Sequence, residues 1–230
     1  MQARQIFMTG GTGYLGTRLI SALHERGHAV KALVRSGSER KLPRGCEVVV
    51  GDALAVSSFA HFVSPAHTFV HLLGTPHPAP WKARAFERVD LVSVKAAAEA
   101  SRAAGIQHFV YLSVAHPAPA MRAYWKIRAE GEAILVSAGL HCTFLRPWYV
   151  LGPGHRWAYA LVPLYQLAEQ FEATRETALR LGLVTLPQMI AALVEAIENP
   201  TERARVVEVP EIRRTVLDVA GAHEVRALVS

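Results

Sequence analysis

The chain has 230 residues, of which 51% are hydrophobic and 19% charged, and this length and composition suit a single α/β domain with a sizeable core. No apolar run approaches the roughly 20 residues of a membrane-spanning helix, and the N-terminus lacks the apolar core and cleavage site of a secretion signal, so we expect a cytoplasmic protein without a membrane span. The net charge is +6, but the basic residues are scattered, which argues against a nucleic-acid partner.

Cysteine and histidine residues do not form a recognisable metal site in this sequence. Cys46 and Cys142 lie in strand-like segments, each without a second cysteine at ligand spacing. We therefore expect two buried thiols and no metal.

Strand-like and helical segments alternate along the first two thirds of the chain. The predicted strands are Gln5–Thr9, Ala29–Val34, Cys46–Val50, Thr68–Leu73, His108–Leu112 and His141–Leu145. The predicted helices are Tyr14–Arg26, Ala55–Val63, Trp81–Ala104 and Met121–Ser137. Because strand–helix–strand units give parallel neighbours, we predict an α/β fold of Rossmann type, a doubly wound parallel sheet with strand order 3-2-1-4-5-6.

The pattern changes after Leu151. The turn Gly152-Pro153-Gly154 precedes an aromatic-rich stretch, then a predicted helix Leu186–Glu198 that Thr185 is placed to cap, and a final strand-like segment Arg205–Val209. This tail is short for an independent domain. We expect residues 1–154 to form the core and residues 155–230 to form a small region packed on the same domain, over the carboxyl edge of the sheet, where ligands bind in such folds.

A glycine-rich turn joins the first strand to the first helix. Gly10, Gly13 and Gly16 give the spacing G-x-x-G-x-x-G, which in this strand–turn–helix context predicts a dinucleotide site. The helix N-terminus offers N–H groups and partial positive charge to the pyrophosphate. We assign the turn, including Thr12, Tyr14 and Leu15, to cofactor binding and residues 1–154 to a dinucleotide-binding domain; a glycine-rich turn without a ligand is the alternative.

The residues after the second and third strands bear on which cofactor is bound. An acidic residue after the second strand typically accepts a hydrogen bond from the ribose of NAD, but here Arg35 occupies that region. A guanidinium pairs with a 2′-phosphate, so the sequence favours NADP(H) over NAD(H); a solvated arginine is the alternative. Asp52, followed by Ala53, is placed to bind the adenine or, alternatively, to cap the next helix.

Several motifs together carry a family resemblance. They are Thr9–Gly16, Gly51-Asp52, Val70–Gly74, Tyr111–Ser113, Tyr124 with its helix, and Arg146–Gly154. In this order they resemble the short-chain dehydrogenase/reductase superfamily, in particular its atypical and extended branches of NAD(P)H-binding, epimerase/reductase-like proteins. The resemblance covers roughly the first two thirds of the chain.

The resemblance implies a set of catalytic residues. In that family a serine after the fifth strand polarises the substrate carbonyl, a tyrosine on the next helix exchanges a proton, and a lysine four residues later binds the nicotinamide ribose and favours the phenolate. Ser113 and Tyr124 match the first two positions, but Arg128 stands in place of the lysine. Lys126 lies about 200° round the helix from Tyr124 and should point elsewhere. A purely structural Tyr124 is the alternative.

The resemblance also implies residues that border the cofactor and the substrate. Residues expected beside the cofactor are Leu73, Gly74, Pro147, Trp148 and Val150. Residues expected on the substrate side are His116, Tyr149, His155 and Trp157. His71 is expected to be a hydrogen-bonded core histidine.

Two functional hypotheses remain open from the sequence. The first is an NADP(H)-dependent reductase, dehydrogenase or epimerase acting on a small carbonyl or alcohol, with an apolar or quinone-like substrate favoured by the aromatic-rich tail, as a monomer or homodimer. The second is a regulator or accessory subunit that binds NAD(P)H without turnover, which the loss of the usual lysine supports.

Overall fold

The computed structural model describes residues 3–154 and 162–217. The predicted substrate-side residues His155 and Trp157 lie outside the described residues. No helix among the described residues is long and apolar enough to cross a membrane.

A parallel sheet of seven strands forms the centre of the molecule, in the order β3-β2-β1-β4-β5-β6-β9. Its strands are β1 Gln5–Thr9, β2 Ala29–Val34, β3 Glu47–Val50, β4 Thr68–His71, β5 His108–Leu112, β6 Cys142–Arg146 and β9 Arg205–Glu208. A second, two-stranded parallel sheet consists of β7 Tyr149–Leu151 and β8 Leu183–Thr185. The predicted doubly wound Rossmann fold is confirmed, and β9 extends the predicted order by one strand.

Helices cover both faces of the sheet. They are α1 Gly16–Glu25, α2 Ala60–Val63, α3 Ala83–Ala85, α4 Val92–Ala103, α5 Arg122–Ser137, α6 Val162–Ala168, α7 Glu172–Arg180, α8 Leu186–Glu198 and α9 Val209–Arg214. The predicted helix Trp81–Ala104 is broken locally, because a π-helical segment Phe86–Leu91 separates α3 from α4. The predicted cap of α8 is confirmed, since Thr185 and Gln188 form a reciprocal capping box.

Two apolar layers hold the helices against the sheet. On one face, α1 and α8 contribute Leu19, Leu23, Met189 and Leu193 to a cluster over the central strands. On the other face, α4 presents a run of alanines to the phenylalanines Phe7, Phe69 and Phe109, whose rings pack with centroids 5.3 and 5.0 Å apart. The small alanine side chains let α4 approach this aromatic layer closely. The C-terminal region therefore shares one core with the N-terminal strands.

A partly buried cluster of charges ties the end of α8 to the opposite end of the chain. The carboxylate of Glu198 accepts hydrogen bonds from Arg26 at 2.6 and 2.8 Å and from His28 Nε2 at 3.0 Å. His28 Nδ1 accepts the backbone N–H of Arg4, so Nε2 carries the proton. Burial alone raises the pKa of Glu198, but the hydrogen bonds from Arg26 and His28 reverse this, and the pKa lies below its ordinary value of 4.5.

Replacing Glu198 by Gln is expected to lower the free energy of unfolding at neutral pH by about 1–3 kcal/mol, because a buried donor loses its acceptor. A carboxylate whose folded pKa is lowered stabilises the fold above its unfolded pKa and loses this effect as the pH falls through the folded pKa. The difference between wild type and variant should therefore narrow below about pH 4.5, as measured by urea unfolding. Glu195→Gln is the control. The Glu195 carboxylate lies 3.8 Å from Arg205 Nη2 and its side chain is 44% exposed, so its loss should have little effect on the free energy of unfolding. A pH-independent difference would contradict this account.

Candidate functional site

The predicted site residues follow the carboxyl ends of the parallel strands. Gly10, Arg35, Asp52, Ser113 and the loop Leu72–Thr75 follow β1, β2, β3, β5 and β4 respectively. These ends meet at one edge of the sheet, and the chain runs outward in both directions from β1 and β4. A crevice at such a switch point is the usual ligand site in doubly wound folds.

The glycines of the first turn are required by close backbone packing. Gly10 has φ +79°, and a Cβ there would lie 2.8 Å from the backbone of Leu72 and Leu73. A Cβ on Gly16 would overlap the carbonyl oxygen of Gly10 and the backbone of Gly11. Gly13 is exposed, and its N–H donates to the Gly10 carbonyl oxygen at 3.0 Å. The turn is thus folded tightly against the loop after β4, with its middle glycine open to solvent.

The N-terminus of α1 has the chemistry that a pyrophosphate requires. The residue before the helix, Leu15, provides no side-chain cap, and the first turn of the helix contains no acidic residue. The first N–H groups of a helix have no partner within the helix, so an anion fits here. The exposed Gly13 leaves room for it.

Tyr14 joins this turn to the segment after β7. A Cβ on Gly152 would overlap the Tyr14 hydroxyl oxygen, so only a glycine lets the phenol lie there. The Arg18 guanidinium lies 4.5 Å from the Tyr14 ring centroid. The predicted motif Arg146–Gly154 and the glycine turn therefore touch through one aromatic side chain.

The loop after β2 presents an arginine to solvent. Arg35 is exposed, and its carbonyl oxygen accepts the N–H of Ser38 at 3.0 Å to close a turn. The Glu39 carboxylate accepts the N–H of Gly37 at 3.1 Å. Among the described residues the Arg35 side chain has no hydrogen bond or ion pair, so its guanidinium is available to a ligand.

The residues after β3 form a second short turn. Asp52 is exposed, and its carboxylate accepts the N–H of Leu54 at 2.9 Å, while Ala53 is buried. The next helical segment, Val56–Ser58, has no side-chain cap. Asp52 therefore closes its own turn instead of capping that segment.

Arg128, the residue in the position of the usual lysine, is buried and ion-paired. Its side chain is 4% exposed, and Nη2 donates to the Asp90 carboxylate at 2.7 Å. Nη1 donates to the carbonyl oxygen of Leu112 at 2.9 Å. A Cβ on Gly74 would overlap the guanidinium, so this glycine makes the room that Arg128 occupies.

Asp90 belongs to the π-helical segment and was not predicted as a site residue. Its second carboxylate oxygen accepts both the N–H and the hydroxyl of Thr75, at 2.9 and 2.5 Å. Asp90 thus links the loop after β4 to α5 through Arg128. The sequence held a signal for it, since an aspartate one turn after Phe86 on the apolar face of a helix requires a cationic partner.

Tyr124 lies one turn before Arg128 on α5. Its ring centroid is 5.3 Å from the Arg128 guanidinium carbon and 5.0 Å from the ring of the fully buried Phe86. Lys126 is exposed, as its angular position predicted. The phenol is therefore held between the buried guanidinium and the π-helical segment.

Ser113 is 3% exposed, and its N–H donates to the Leu145 carbonyl oxygen at 2.8 Å. Its hydroxyl oxygen is buried without a hydrogen-bond partner among the described residues. Buried hydroxyls are ordinarily hydrogen-bonded, so this one is suited to a ligand oxygen. The carbonyl oxygen of Leu112 accepts a hydrogen bond from Arg128, so Ser113 directly follows a residue that contacts the buried guanidinium.

His71 and Tyr111 lie beside the Arg128–Asp90 ion pair, and these four residues form a buried cluster. Burial lowers the pKa of His71 to about 3, with a further contribution from Arg128, and its ring contacts the Thr9 and Ser93 hydroxyls at 2.8 and 3.3 Å. Burial also raises the pKa of Tyr111 to about 12, against the opposing effect of Arg128. His71 is therefore a hydrogen-bonded core histidine, as predicted.

His116 forms part of an ordered loop between β5 and α5. Its Nδ1–H donates to the Val114 carbonyl oxygen at 2.9 Å, which leaves Nε2 as an acceptor in the neutral ring. The ring stacks on Trp125 at 6.0 Å, and the Trp125 indole donates to the Ala118 carbonyl oxygen at 3.1 Å. Two aromatic surfaces therefore stand beside the start of α5.

The segment after β6 is fixed on both sides. The carbonyl oxygen of buried Pro147 accepts the N–H of Ala115 at 3.0 Å. Trp148 forms a side-chain hydrogen bond with Tyr165. Tyr149 and Val150, both half-buried, form β7 and pair with β8.

Comparison with known proteins identifies the family. A family model described as NAD(P)H-binding matches residues 10–177, well over half of the chain. This chain belongs to that NAD(P)H-binding family. The predicted resemblance to the extended short-chain dehydrogenases/reductases is thereby confirmed, and with it the assignment of an NAD(P)H-binding protein.

Relatives and structural neighbours agree with this membership. The chain is 29% identical over 214 residues to a ceramide reductase of Caulobacter vibrioides, covering 91% of this chain and 65% of the relative. It is 30% identical over 182 residues to a 3-diazoavenalumate denitrifying reductase of Streptomyces sp, covering 67% and 59%. It therefore spans roughly three fifths of these relatives' length. The Bordetella bronchiseptica enzyme WbmH, whose structure is a complex with NAD+, superposes with a TM-score of 0.67 at 18% identity, covering 90% of this chain and 76% of WbmH, which shows the shared fold.

Two glycine variants of this family member should separate folding from cofactor binding. Gly13→Ala is expected to lower the melting temperature less than Gly16→Ala, because its Cβ would make a tight contact of 3.1 Å with the Gly10 carbonyl oxygen, whereas a Cβ on Gly16 would overlap that oxygen and the Gly11 backbone. It should weaken NADPH binding about tenfold or more, since a methyl group then stands where the phosphates approach and 1.4 kcal/mol corresponds to a factor of ten. Gly16→Ala should lose stability as well. Calorimetry measures the NADPH affinity, and differential scanning fluorimetry measures the melting temperature. Unimpaired NADPH binding by Gly13→Ala would refute the assigned site.

Proposed function

We propose that this protein is an NADP(H)-dependent reductase or dehydrogenase acting on a small, largely apolar carbonyl or alcohol substrate. One observation carries the proposal: the buried guanidinium of Arg128 contacts Tyr124 and also binds Leu112, the residue before Ser113. These two contacts support the proposal that Tyr124, as a proton donor, and Ser113, with its unpartnered hydroxyl, act together at the carboxyl edge of the sheet.

The glycine turn and the uncapped start of α1 fit a dinucleotide, and Ser113 fits the oxygen of a substrate. When bound, the nicotinamide supplies a hydride to the carbonyl carbon. Ser113 donates a hydrogen bond to the carbonyl oxygen and so stabilises the negative charge that develops there. Tyr124 gives its proton to the same oxygen. The positive charge of Arg128 stabilises the phenolate that remains.

Arg128 acts through its charge and does not relay the proton. Burial alone lowers the pKa of Arg128, but Tyr124, Tyr111 and Asp90 raise it well above its ordinary value, so the side chain stays protonated throughout. Its Nε–H is the donor without a partner among the described residues. We propose that this Nε–H is the group of Arg128 that can donate a hydrogen bond to the nicotinamide ribose.

The phosphorylated cofactor is favoured by Arg35. Its exposed guanidinium has no partner in the described part of the chain and follows β2, where the 2′ position of the ribose is recognised in this fold. Bidentate pairing with a 2′-phosphate is the interaction that a guanidinium makes best. Asp52, with one carboxylate oxygen bound to the Leu54 N–H, is proposed to contact the adenine.

An apolar substrate is favoured by the aromatic residues around the edge and by the relatives. His116 and Trp125 form a stacked pair at the start of α5, and Trp148 pairs with Tyr165 on α6. One relative is named for reduction of ceramide, a long-chain lipid. We propose that Tyr149 and His116 lie on the substrate side, with His116 Nε2 free to accept a hydrogen bond.

A second candidate function is cofactor binding without turnover. The observation that favours it is the ion pair of Arg128 with Asp90, which partly cancels the charge that would assist Tyr124. In that case the protein would bind NADPH and report its presence to a partner. Turnover of NADPH with any carbonyl compound separates the two.

Removing the proposed proton donor, Tyr124, or the proposed hydrogen-bond donor, Ser113, should stop the reaction but leave cofactor binding intact. Tyr124→Phe and Ser113→Ala are expected to lower kcat for NADPH oxidation, with a panel of apolar ketones and quinones, by about 100-fold or more, at unchanged NADPH affinity. Ser101→Ala is the matched control. The hydroxyl of Ser101 is also buried without a partner among the described residues, but Ser101 lies near the C-terminal end of α4, whereas Asp90 precedes the N-terminal end. Full activity in Tyr124→Phe would rule out the mechanism.

Cofactor preference should depend on one arginine of the loop after β2. Arg35→Ala is expected to weaken NADPH binding about tenfold or more and to leave NADH binding unchanged, because only NADPH carries the 2′-phosphate. Arg44→Ala removes an equally exposed arginine further along the same loop and should change neither affinity. Fluorescence titration measures the six dissociation constants, those of NADPH and NADH for the wild type and for each variant. Equal affinities of the wild type for the two cofactors would exclude the role of Arg35.

A further inference from the structure

We propose that Asp90 is a positioning residue that tunes the acidity of Tyr124 by neutralising the charge of Arg128. The inference rests on the proposed role of Tyr124 and adds a residue to it. Asp90 touches Arg128, not Tyr124, and acts through that contact.

The geometry makes Asp90 a fixed counter-charge. Its side chain is fully buried, and one oxygen lies 2.7 Å from Arg128 Nη2. The other oxygen is held by the N–H and hydroxyl of Thr75 at 2.9 and 2.5 Å. With both oxygens occupied, the carboxylate cannot turn away from the guanidinium.

The π-helical segment places Asp90 there. The helix from Ala83 to Ala103 widens at Phe86–Leu91, and π-helical turns occur frequently at functional sites. The segment brings Phe86 against the Tyr124 ring and directs Asp90 to the guanidinium. One local distortion thus orients both the phenol and the counter-charge.

Inside the cluster only Arg128 and Asp90 carry charge. His71 is neutral because burial lowers its pKa to about 3, and Tyr111 is neutral because burial raises its pKa to about 12. The cluster therefore has no net charge in the ordinary range of pH. Loss of the Asp90 charge would leave an uncompensated cation 5.3 Å from the Tyr124 ring.

Charged groups on the other elements packed against α5 have other partners or face solvent. Lys82 donates to the Pro76 and His77 carbonyl oxygens, and Arg146 of β6 pairs with Glu132. The remaining charges fall into two groups. Glu87 and Arg88 of the π-helical segment and Arg122 and Lys126 of α5 are all exposed. Lys95, Glu99, Arg102 and Glu130 line the groove between α4 and α5. None of them substitutes for Asp90 beside the guanidinium.

The direction of the effect follows from the charges. A neighbouring cation favours the ionised form of a phenol, and a carboxylate beside that cation weakens the effect. Asp90 therefore opposes the effect of the Arg128 charge on the Tyr124 phenol. A protonated phenol is the form that donates to a carbonyl oxygen during reduction.

The test is a direct titration of Tyr124 by carbon-13 NMR of ζ-labelled tyrosine in the intact protein. Tyr124→Phe identifies its signal among the six tyrosines. In Asp90→Asn the midpoint for Tyr124 should fall by about one pH unit or more, whereas Arg128→Gln should raise it. Glu87→Gln neutralises an exposed carboxylate three residues from Asp90 and should leave the midpoint unchanged.

Unchanged midpoints in Asp90→Asn overturn the proposal, and if that variant does not fold, an unchanged midpoint in Arg128→Gln does so equally. The titration needs no substrate, so it is independent of the proposed reaction. A shifted midpoint in a protein that never oxidises NADPH would support the role of Asp90 and reject the enzyme. Turnover of NADPH with an unshifted Tyr124 midpoint would support the enzyme and reject the role of Asp90.

Discussion

The buried ion pair between Arg128 and Asp90 is the constraint on which the candidate site depends. It joins α5, the π-helical segment, the loop after β4 and the end of β5 at one point. A buried charge that loses its partner costs about 3–5 kcal/mol, so neither residue can be replaced alone without a large penalty. Gly74 admits the guanidinium, and Gly131 similarly leaves space for the Tyr111 hydroxyl beside it.

A second constraint acts on the backbone at the neighbouring strand ends. Gly10 is packed against Leu72 and Leu73, and these residues lead directly into Gly74 and the ion pair. The turn that suits the phosphates and the cluster that orients Tyr124 are therefore supported by the same loop after β4. This shared loop explains how a cofactor bound along the edge would reach from the glycine turn to the proposed catalytic groups.

The sequence predicted what depends on local patterns. The six alternating strands, their order and the Thr185 cap followed from periodicity and capping rules. The pairing of β7 with β8 did not, because two three-residue strands separated by more than thirty positions leave no periodic signal. The setting of Arg128 was also out of reach: its spacing from Tyr124 placed it on the correct face, but its burial depends on Asp90, which a distortion of a different helix supplies. The sequence indicates that Asp90 requires a cationic partner, but tertiary contacts decide which cation it pairs with, and one sequence does not reveal those contacts.

The central claim is that Ser113 and Tyr124 are gathered beside the nicotinamide by an Arg128 that remains bound to Asp90. A crystal structure with NADPH tests it most directly. We expect the pyrophosphate at the start of α1, with Ser113 Oγ and the Tyr124 hydroxyl both within hydrogen-bonding distance of one position next to the nicotinamide ring, and the Arg128–Asp90 contact retained. A nicotinamide bound away from Tyr124, or an Arg128 that leaves Asp90 to hold the ribose, would contradict the account.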